Sequence, residues 1–245
     1  MSIKPISISI VSHNQFKLME PLLNQLFNFS ESIYQVIITI NVPEEIPQRK
    51  QYKSNFFIWI FNKKPLGFGR NHNNASKKCV TDYFCIMNPD ILIEKDTLLK
   101  LLFAKQKYNV GIIGPSLIDA NNIKQVNARK FPKFISSIIN FNRKKQEYFY
   151  CSIGKLGFTD WIGGMFMLIK ISDFNFLGGF DEKFFLYYED VDICYRARKQ
   201  SLKIAEFRAV TVTHNAQRSS HKQLIFFLMH LKSFLKFFLI KNRTS

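Results

Sequence analysis

Apolar residues fall along this chain in two alternating rhythms. Ile6–Val11 alternates with serine, turns fully apolar and stops at Ser12-His13-Asn14, which predicts a strand and its exit turn. Phe16–Leu26 then sets Leu18, Met19, Leu22, Leu23 and Leu26 at helical spacing. Val36–Ile40 and Phe56–Phe61 read as two more buried strands, the first ending at Asn41-Val42-Pro43-Glu44. A helix is predicted over Gly69–Lys78 and a fourth strand over Tyr83–Met87, which ends at Asn88-Pro89-Asp90. Asp96 is placed to cap a helix with the stripe Leu98, Leu99, Leu101, Leu102 and Phe103, and Val110–Gly114 reads as a fifth short strand.

Strand and helix alternating in this way predict an α/β fold with a mostly parallel central sheet covered by helices on both faces. Ligands of such sheets bind beyond the carboxyl ends of the strands. The polar exits Ser12-His13-Asn14, Asn41 with Glu44, and Asn88-Pro89-Asp90 would therefore converge on one edge.

The second half is less regular. Phe131–Tyr150 is basic, aromatic and without period, and reads as a loop or an excursion over the site. Trp161–Ile169 is a glycine turn followed by a strand, and Gly178-Gly179 breaks the chain before Phe180-Asp181. Glu189–Gln200 reads as a helix opened by acids and closed by Arg196, Arg198 and Lys199, as the helix dipole favours. Thr211–His214 is a last short strand. Leu224–Ile240 is strongly apolar but carries His230, Lys232 and Lys236, too short and too basic for a spanning helix. It predicts a helix lying on anionic lipid, or equally one packed on the domain or on a partner chain.

Composition narrows the class. The 245 residues are 47% hydrophobic and 22% charged, which excludes a disordered, collagen-like or disulfide-dense chain. A net charge of +17 points to polyanionic partners. Eight basic residues against the single acid Glu147 lie between Asn122 and Lys155, and five with no acid lie from Lys222 to the end. Against that background, five of the 18 acids crowd into Asp181–Asp192, the least random charge feature of the chain. The four cysteines form no CxxC pair, so neither structural zinc nor a disulfide framework is expected, and a reducing compartment is the default. No signal peptide is expected from the N-terminal residues.

Candidate chemistry gathers at the expected edge. Pro89 ends the fourth strand's ladder and aims Asp90 off its end, where a carboxylate suits Mg²⁺ or Mn²⁺ otherwise held by water and phosphates. Glu189-Asp190-Val191-Asp192 opens a helix after the aromatic run Phe184–Tyr188, so partial desolvation would improve one carboxylate as a base. His214, at a strand end, could complete a metal site with Asp90. The segment Leu66–Asn74 (LGFGRNHNN) offers glycines for close approach and an arginine and amides for phosphate or ribose, but matches neither a P-loop nor a dinucleotide fingerprint.

Taken in order, ISIVSHN, NKKPLGFGRNHNNA, YFCIMNPDILI, GIIGPSLID, WIGGMFMLIK, LGGFDEKFFLYYEDVDICYRAR and VTHNAQRSS resemble the family 2 glycosyltransferases of the GT-A fold, especially bacterial rhamnosyltransferase-like and galactofuranosyltransferase-like members. The resemblance runs from Ile6 to about Ser220. It implies one domain over residues 1–220, with a nucleotide-binding half to about 115 and an acceptor half after it, and a separate basic amphipathic helix over 221–245. It implies that Ser12, His13, Asn14, Asn41, Glu44, Arg70, Asn74, Asn88 and Asp90 line the nucleotide pocket. Asp90 would be the main metal ligand and His214 the distal one. Asp190 would be the base, with Trp161, Gly163, Gly164 and Glu189 near donor sugar and acceptor. Two positions depart from the family pattern: Asn41 to Glu44 replaces an Asp-rich turn, and Asn88 replaces the first acid of the DxD motif.

The implied reaction is an inverting, metal-dependent transfer from a dTDP- or UDP-sugar, rhamnose or another hexose, to a hydroxyl of a growing O-antigen or capsule-type saccharide on a lipid carrier. The place implied is cytoplasmic, peripheral at the inner face of the membrane. Two other classes compete. A sugar nucleotidyltransferase would want a glycine-rich basic loop directly after the first strand, where Ser12-His13-Asn14 stands. A nucleic-acid-binding protein would show a recognition motif, and none is present, so nucleic acid is not an expected partner.

Overall fold

The computed structural model describes residues 5–30, 33–132, 147–215 and 223–243. Its first half contains β1 (Ile6–Ser12), α1 (Phe16–Asn28), β2 (Ile33–Ile40), β3 (Phe57–Phe61), α2 (Phe68–Ser76), β4 (Tyr83–Met87), β5 (Ile91–Leu92), α3 (Thr97–Lys107) and β6 (Ile112–Ile118). Short strands follow: β7 (Lys124–Gln125), β8 (Ala128–Arg129), β9 (Cys151–Ile153), β10 (Leu156–Thr159) and β11 (Trp161–Ile162). The chain ends with β12 (Phe166–Lys170), α4 (Ile171–Phe176), α5 (Glu189–Lys199), β13 (Ile204–His214) and α6 (Gln223–Arg243). Much of the Phe131–Tyr150 excursion, with Lys133, Arg143, Lys144 and Lys145, lies outside the described residues, as do residues 216–222.

The main sheet runs β3-β2-β1-β4-β12-β6-β13-β10-β9. Pairing is parallel from β3 through β4, as the strand–helix alternation predicts. From β12 onward it is mixed: β12 runs antiparallel to both β4 and β6, β13 parallel to β6, and β10 antiparallel to β13. A parallel neighbour needs a long crossover, normally a helix. Between β6 and β12 the described residues hold only strands of two to four residues, and β12 enters the sheet in the opposite sense.

Alternate residues of each strand feed two cores. Ile8, Ile10, Cys85 and Met87 face Leu22, Leu23 and Leu101 of α1 and α3. Phe84 and Ile86 face Phe174, Val191 and Phe237 on the other side. The serines that alternate in β1 are buried as well. Ser9 Oγ lies 2.8 Å from His72 Nδ1 of α2, and burial holds that imidazole neutral by lowering its pKa to about 3.

Several elements differ from their sequence reading, the fifth strand running Ile112–Ile118 rather than Val110–Gly114. Asp96 occupies the N-cap position of α3 without a side-chain cap bond; Thr97 Oγ1 instead accepts the Glu94 amide at 3.0 Å. The last strand runs Ile204–His214 rather than Thr211–His214, because its first half pairs with β6 and β10 even though Glu206 and Arg208 interrupt its apolar pattern. Helix α6 packs on the domain, one of the alternatives its sequence left open. Phe234, Phe237 and Phe238 are buried against the domain, while Leu224, Leu228, Leu231, Leu235 and Leu239 are exposed. Apolar residues thus occupy two sides of it, and the helix is not simply amphipathic. Among the described residues, no helix is long and apolar enough to cross a membrane.

Candidate active site

The parallel ladder sets the strand exits side by side. Ser12 stands opposite Ile40, and Ile10 opposite Met87, so His13, Asn41 and Asn88 follow adjacent strand ends. Asn41 is buried and fully engaged. Its Oδ1 accepts from Leu66 N at 2.8 Å and Asn62 Nδ2 at 2.9 Å, and its Nδ2 donates to Leu66 O at 3.0 Å and meets His13 Nδ1 at 3.1 Å. It latches the loop that leads into α2 and has no hydrogen-bonding capacity left for a nucleotide. Glu44 is half engaged: Oε2 caps α1 by accepting the Phe16 amide at 2.8 Å, while Oε1 is buried without a partner. Ser12 Oγ accepts the Gln15 amide at 3.2 Å, and Asn14, exposed, takes the left-handed φ of 58° that makes the turn.

Two more residues of the expected nucleotide pocket are carried by α2. Arg70 is exposed and pairs with Glu182 at 3.2 Å. Asn74 lies about one turn further along α2, in the direction that leads from the carboxyl edge back toward the start of β4.

Asp90 and His214 do meet, 3.4 Å apart between Oδ1 and Nε2, and both are buried. Antiparallel pairing of β5 with β13 sets His214 opposite Ile91, next to Asp90 in the chain. The neighbouring groups fix the imidazole tautomer. Gln125 Nε2 donates to the His214 carbonyl at 2.9 Å, so Gln125 Oε1, 2.7 Å from Nδ1, accepts the ring N–H. Nε2 then faces Asp90 Oδ1, an atom with no hydrogen-bond partner of its own. The weak 3.5 Å contact from Asn88 Nδ2 also treats Nε2 as an acceptor. A buried imidazole nitrogen beside a carboxylate oxygen could hold a divalent cation completed by water and phosphate oxygens. Among the described residues, no group of three or more His, Cys, Asp or Glu side chains gathers as a metal cage.

Asp190 belongs to the same edge but not to that pair. Its Oδ2 accepts the Gly164 amide at 3.1 Å and its Oδ1 the Val191 amide at 2.8 Å. Met165, one residue past Gly164, accepts the Asn88 amide at 2.9 Å, which joins Asp190 to the Asp90–His214 pair through one short segment. Gly163 is held by Asn127 Oδ1 at 3.0 Å. Trp161 is buried, donates its indole N–H to Lys130 O at 2.9 Å, and lies under the Arg129 guanidinium at 5.0 Å.

The two adjacent carboxylates differ. Burial, then the charge of Asp190, pushes Glu189 well above the ordinary carboxylate range, and its Oε2 is buried without a partner. Burial also raises Asp190, but the Gly164 and Val191 amides and the Arg129 charge work in the opposite direction. The surroundings therefore favour the charged form of Asp190 more than that of Glu189. Tyr187 and Tyr188, which lead into this pair, sit at φ 69° and 70°, each a strain of about 1–3 kcal/mol.

Gln125, Asn127 and Arg129 have no motif or period to announce them, and only the fold brings them here. Arg129 was visible solely as part of the basic stretch.

A family model for glycosyl transferase family 2 matches residues 7–166. The rhamnosyltransferase WbbL of Escherichia coli K12 is 28% identical over 98% of this chain and 95% of its own length. An N-acetylglucosaminyl-diphospho-decaprenol L-rhamnosyltransferase of Mycobacterium tuberculosis H37Rv is 26% identical over 65% of this chain, which spans 55% of that protein. Among solved structures, GalNAc-T7 with UDP, GalNAc and Mn²⁺ superposes with a TM-score of 0.69 at 12% identity, covering 96% of this chain and 47% of the other. The Pyrobaculum calidifontis mannosyltransferase PcManGT, with GDP-Man and Mn²⁺, gives 0.67 at 12% identity, over 99% and 65%. These two likenesses establish the shared GT-A fold.

Proposed function

The chain belongs to glycosyltransferase family 2, and from that premise we propose that it moves a hexose, rhamnose foremost, from a dTDP- or UDP-sugar to a hydroxyl of a lipid-linked saccharide, with inversion. Rhamnosyl transfer is supported by the relatives, which are named as rhamnosyltransferases, one of them for a decaprenol-diphosphate saccharide. The single observation that carries the reading is the buried Asp90 Oδ1 facing His214 Nε2 at 3.4 Å, on the edge that also holds Asp190.

Asp90 and His214 would hold Mg²⁺ or Mn²⁺ there. Such a cation, when bound, offsets the charge of the leaving diphosphate, worth several kcal/mol. Asp190 takes the proton of the acceptor hydroxyl as its oxygen attacks the anomeric carbon, and the bond from that carbon to the diphosphate oxygen breaks. The Gly164 and Val191 amides aim the Asp190 carboxylate and favour its charged form. Glu44 Oε1 and His13 are the polar atoms left for the nucleotide base, with Ser12 and Asn88 beside the phosphates. Trp161, Gly163 and Gly164 would border the sugars.

The outer stripe Leu224, Leu228, Leu231, Leu235 and Leu239, with Lys232 and Lys236 at its flank, suits the anionic inner face of the membrane, where an O-antigen or capsule-type acceptor is carried.

A thermal-shift screen of nucleoside diphosphate sugars, each with and without Mn²⁺ or Mg²⁺, tests the reading. The expected result is a rise in Tm with one dTDP- or UDP-sugar that needs the cation. No shift with any donor, or equal shifts with and without cation, would remove it.

A further inference from the structure

Helix α6 is far from Asp190 in the chain, yet it packs on the turn that presents that carboxylate. Tyr187 and Tyr188 adopt left-handed backbone conformations that favour glycine or asparagine, and Tyr188 is also the N-cap residue of α5 with no side-chain cap bond. Nothing local selects this geometry, so contacts from elsewhere hold it. They come from α6. The His230 ring lies 5.4 Å from Tyr187 and 5.2 Å from Tyr188. Phe234 and Phe237 lie 5.9 and 5.6 Å from Tyr188. Ser233 Oγ donates to Leu186 O at 2.8 Å, and Lys236 Nζ to Lys183 O. On the opposite side Phe185 O accepts the Phe68 amide at 2.9 Å, and a Cβ on Gly67 would come within 2.7 Å of that same oxygen. The turn is therefore clamped between the start of α2 and the inner face of α6.

We propose that α6 sets the position of the Asp190 carboxylate, with Ser233, His230 and Phe234 as positioning residues. Without them the Tyr187–Tyr188 turn relaxes out of its left-handed conformation and draws Asp190 off the Gly164 and Val191 amides. The proposal rests on the reading of Asp190 as the base. It joins the two halves of the functional reading, because the helix whose outer stripe faces a lipid surface is the one whose inner face orients the base.

Hydrogen exchange on the full chain, free of ligand and vesicles, tests the clamp. In Ser233→Ala and Phe234→Ala the Gly164 and Val191 amides should exchange roughly tenfold faster, while the amides of β1 and β2 keep wild-type protection. Ser233→Thr, which retains the hydroxyl, should behave as wild type. Unchanged exchange at Gly164 and Val191, or faster exchange of the whole sheet together, would overturn the proposal. In turnover assays on the donor identified by thermal shift, Ser233→Ala should lower kcat and leave the donor KM unchanged; a fall confined to binding would count against it. Asp190→Asn in the same assay separates the two failures. Undiminished turnover there removes the base assignment, whereas a dead Asp190→Asn beside an unaffected Ser233→Ala removes the clamp alone.

Discussion

Two polar clusters share one edge of the sheet and are built on opposite terms. Beyond β1 and β2, the buried Asn41 makes every bond its amide can make, tying His13, Asn62 and Leu66 together. Beyond β4 and β13, and at the start of α5, Asp90 Oδ1 and Glu189 Oε2 are buried with no donor at all. An unmet buried acceptor costs more than a satisfied one contributes. The first cluster is thus a scaffold complete in itself, and the second is finished only by something that arrives. Glu44 stands between them, one oxygen spent on α1 and the other unmet.

The contrast can be broken most forcefully at Asp190. Asp190→Asn should preserve donor binding and lower turnover by roughly 10²–10⁴-fold, the scale of a general base; steady-state kinetics that stay near wild type would place the base elsewhere. Asp90→Ala should abolish the dependence of donor binding on Mn²⁺. Calorimetry that reads the same with and without the cation in wild type and variant alike would show that the unmet oxygen has no cation to meet.

Glu206 sharpens the comparison from outside the edge. It is fully buried on β13, with Oε1 on Ser116 Oγ at 2.8 Å and Oε2 unpartnered. Burial, partly countered by the Ser116 bond, lifts its pKa from 4.5 to about 7. A carboxyl raised by folding contributes stability below its unfolded value, and that contribution is lost as pH climbs through the folded one. Between pH 4.5 and 7 the loss is about 1.4 kcal/mol per unit, about 3 kcal/mol in all. Glu206→Gln should therefore be the more stable protein at pH 8 and equal to wild type near pH 4, by urea midpoint. Parallel pH profiles would show that folding leaves the Glu206 pKa where it is in the unfolded chain. The smallest effect is expected at the closed cluster. Asn41→Ala should cost about 1–3 kcal/mol of stability, read as a lower Tm, with little change in kcat. A large kcat loss in a stably folded variant would make Asn41 part of the working edge after all.

How far these features were legible follows from the range of each interaction. Local pattern alone marks Tyr83–Met87 as a strand, and α1 and α2 to within two residues at either end, because burial periodicity and propensity act between near neighbours. The candidate Asp90, Asp190 and His214 stand out because proline, an acidic helix start and a strand end are local signals too. The sheet's change from parallel to mixed was not legible, nor was the length of β13, whose buried Glu206 reads as solvent-facing. Gln125 setting the His214 tautomer, and the clamp of α6 on Tyr187 and Tyr188, join residues about 90 and 45 positions apart in a chain whose intervening pattern is silent on them. By itself the sequence determined which groups can ionise, which strand ends present them and which family chemistry they resemble. Tertiary structure decided which of those groups are already satisfied and which are left waiting, because hydrogen-bond satisfaction and desolvation depend on neighbours in space, and only packing supplies those.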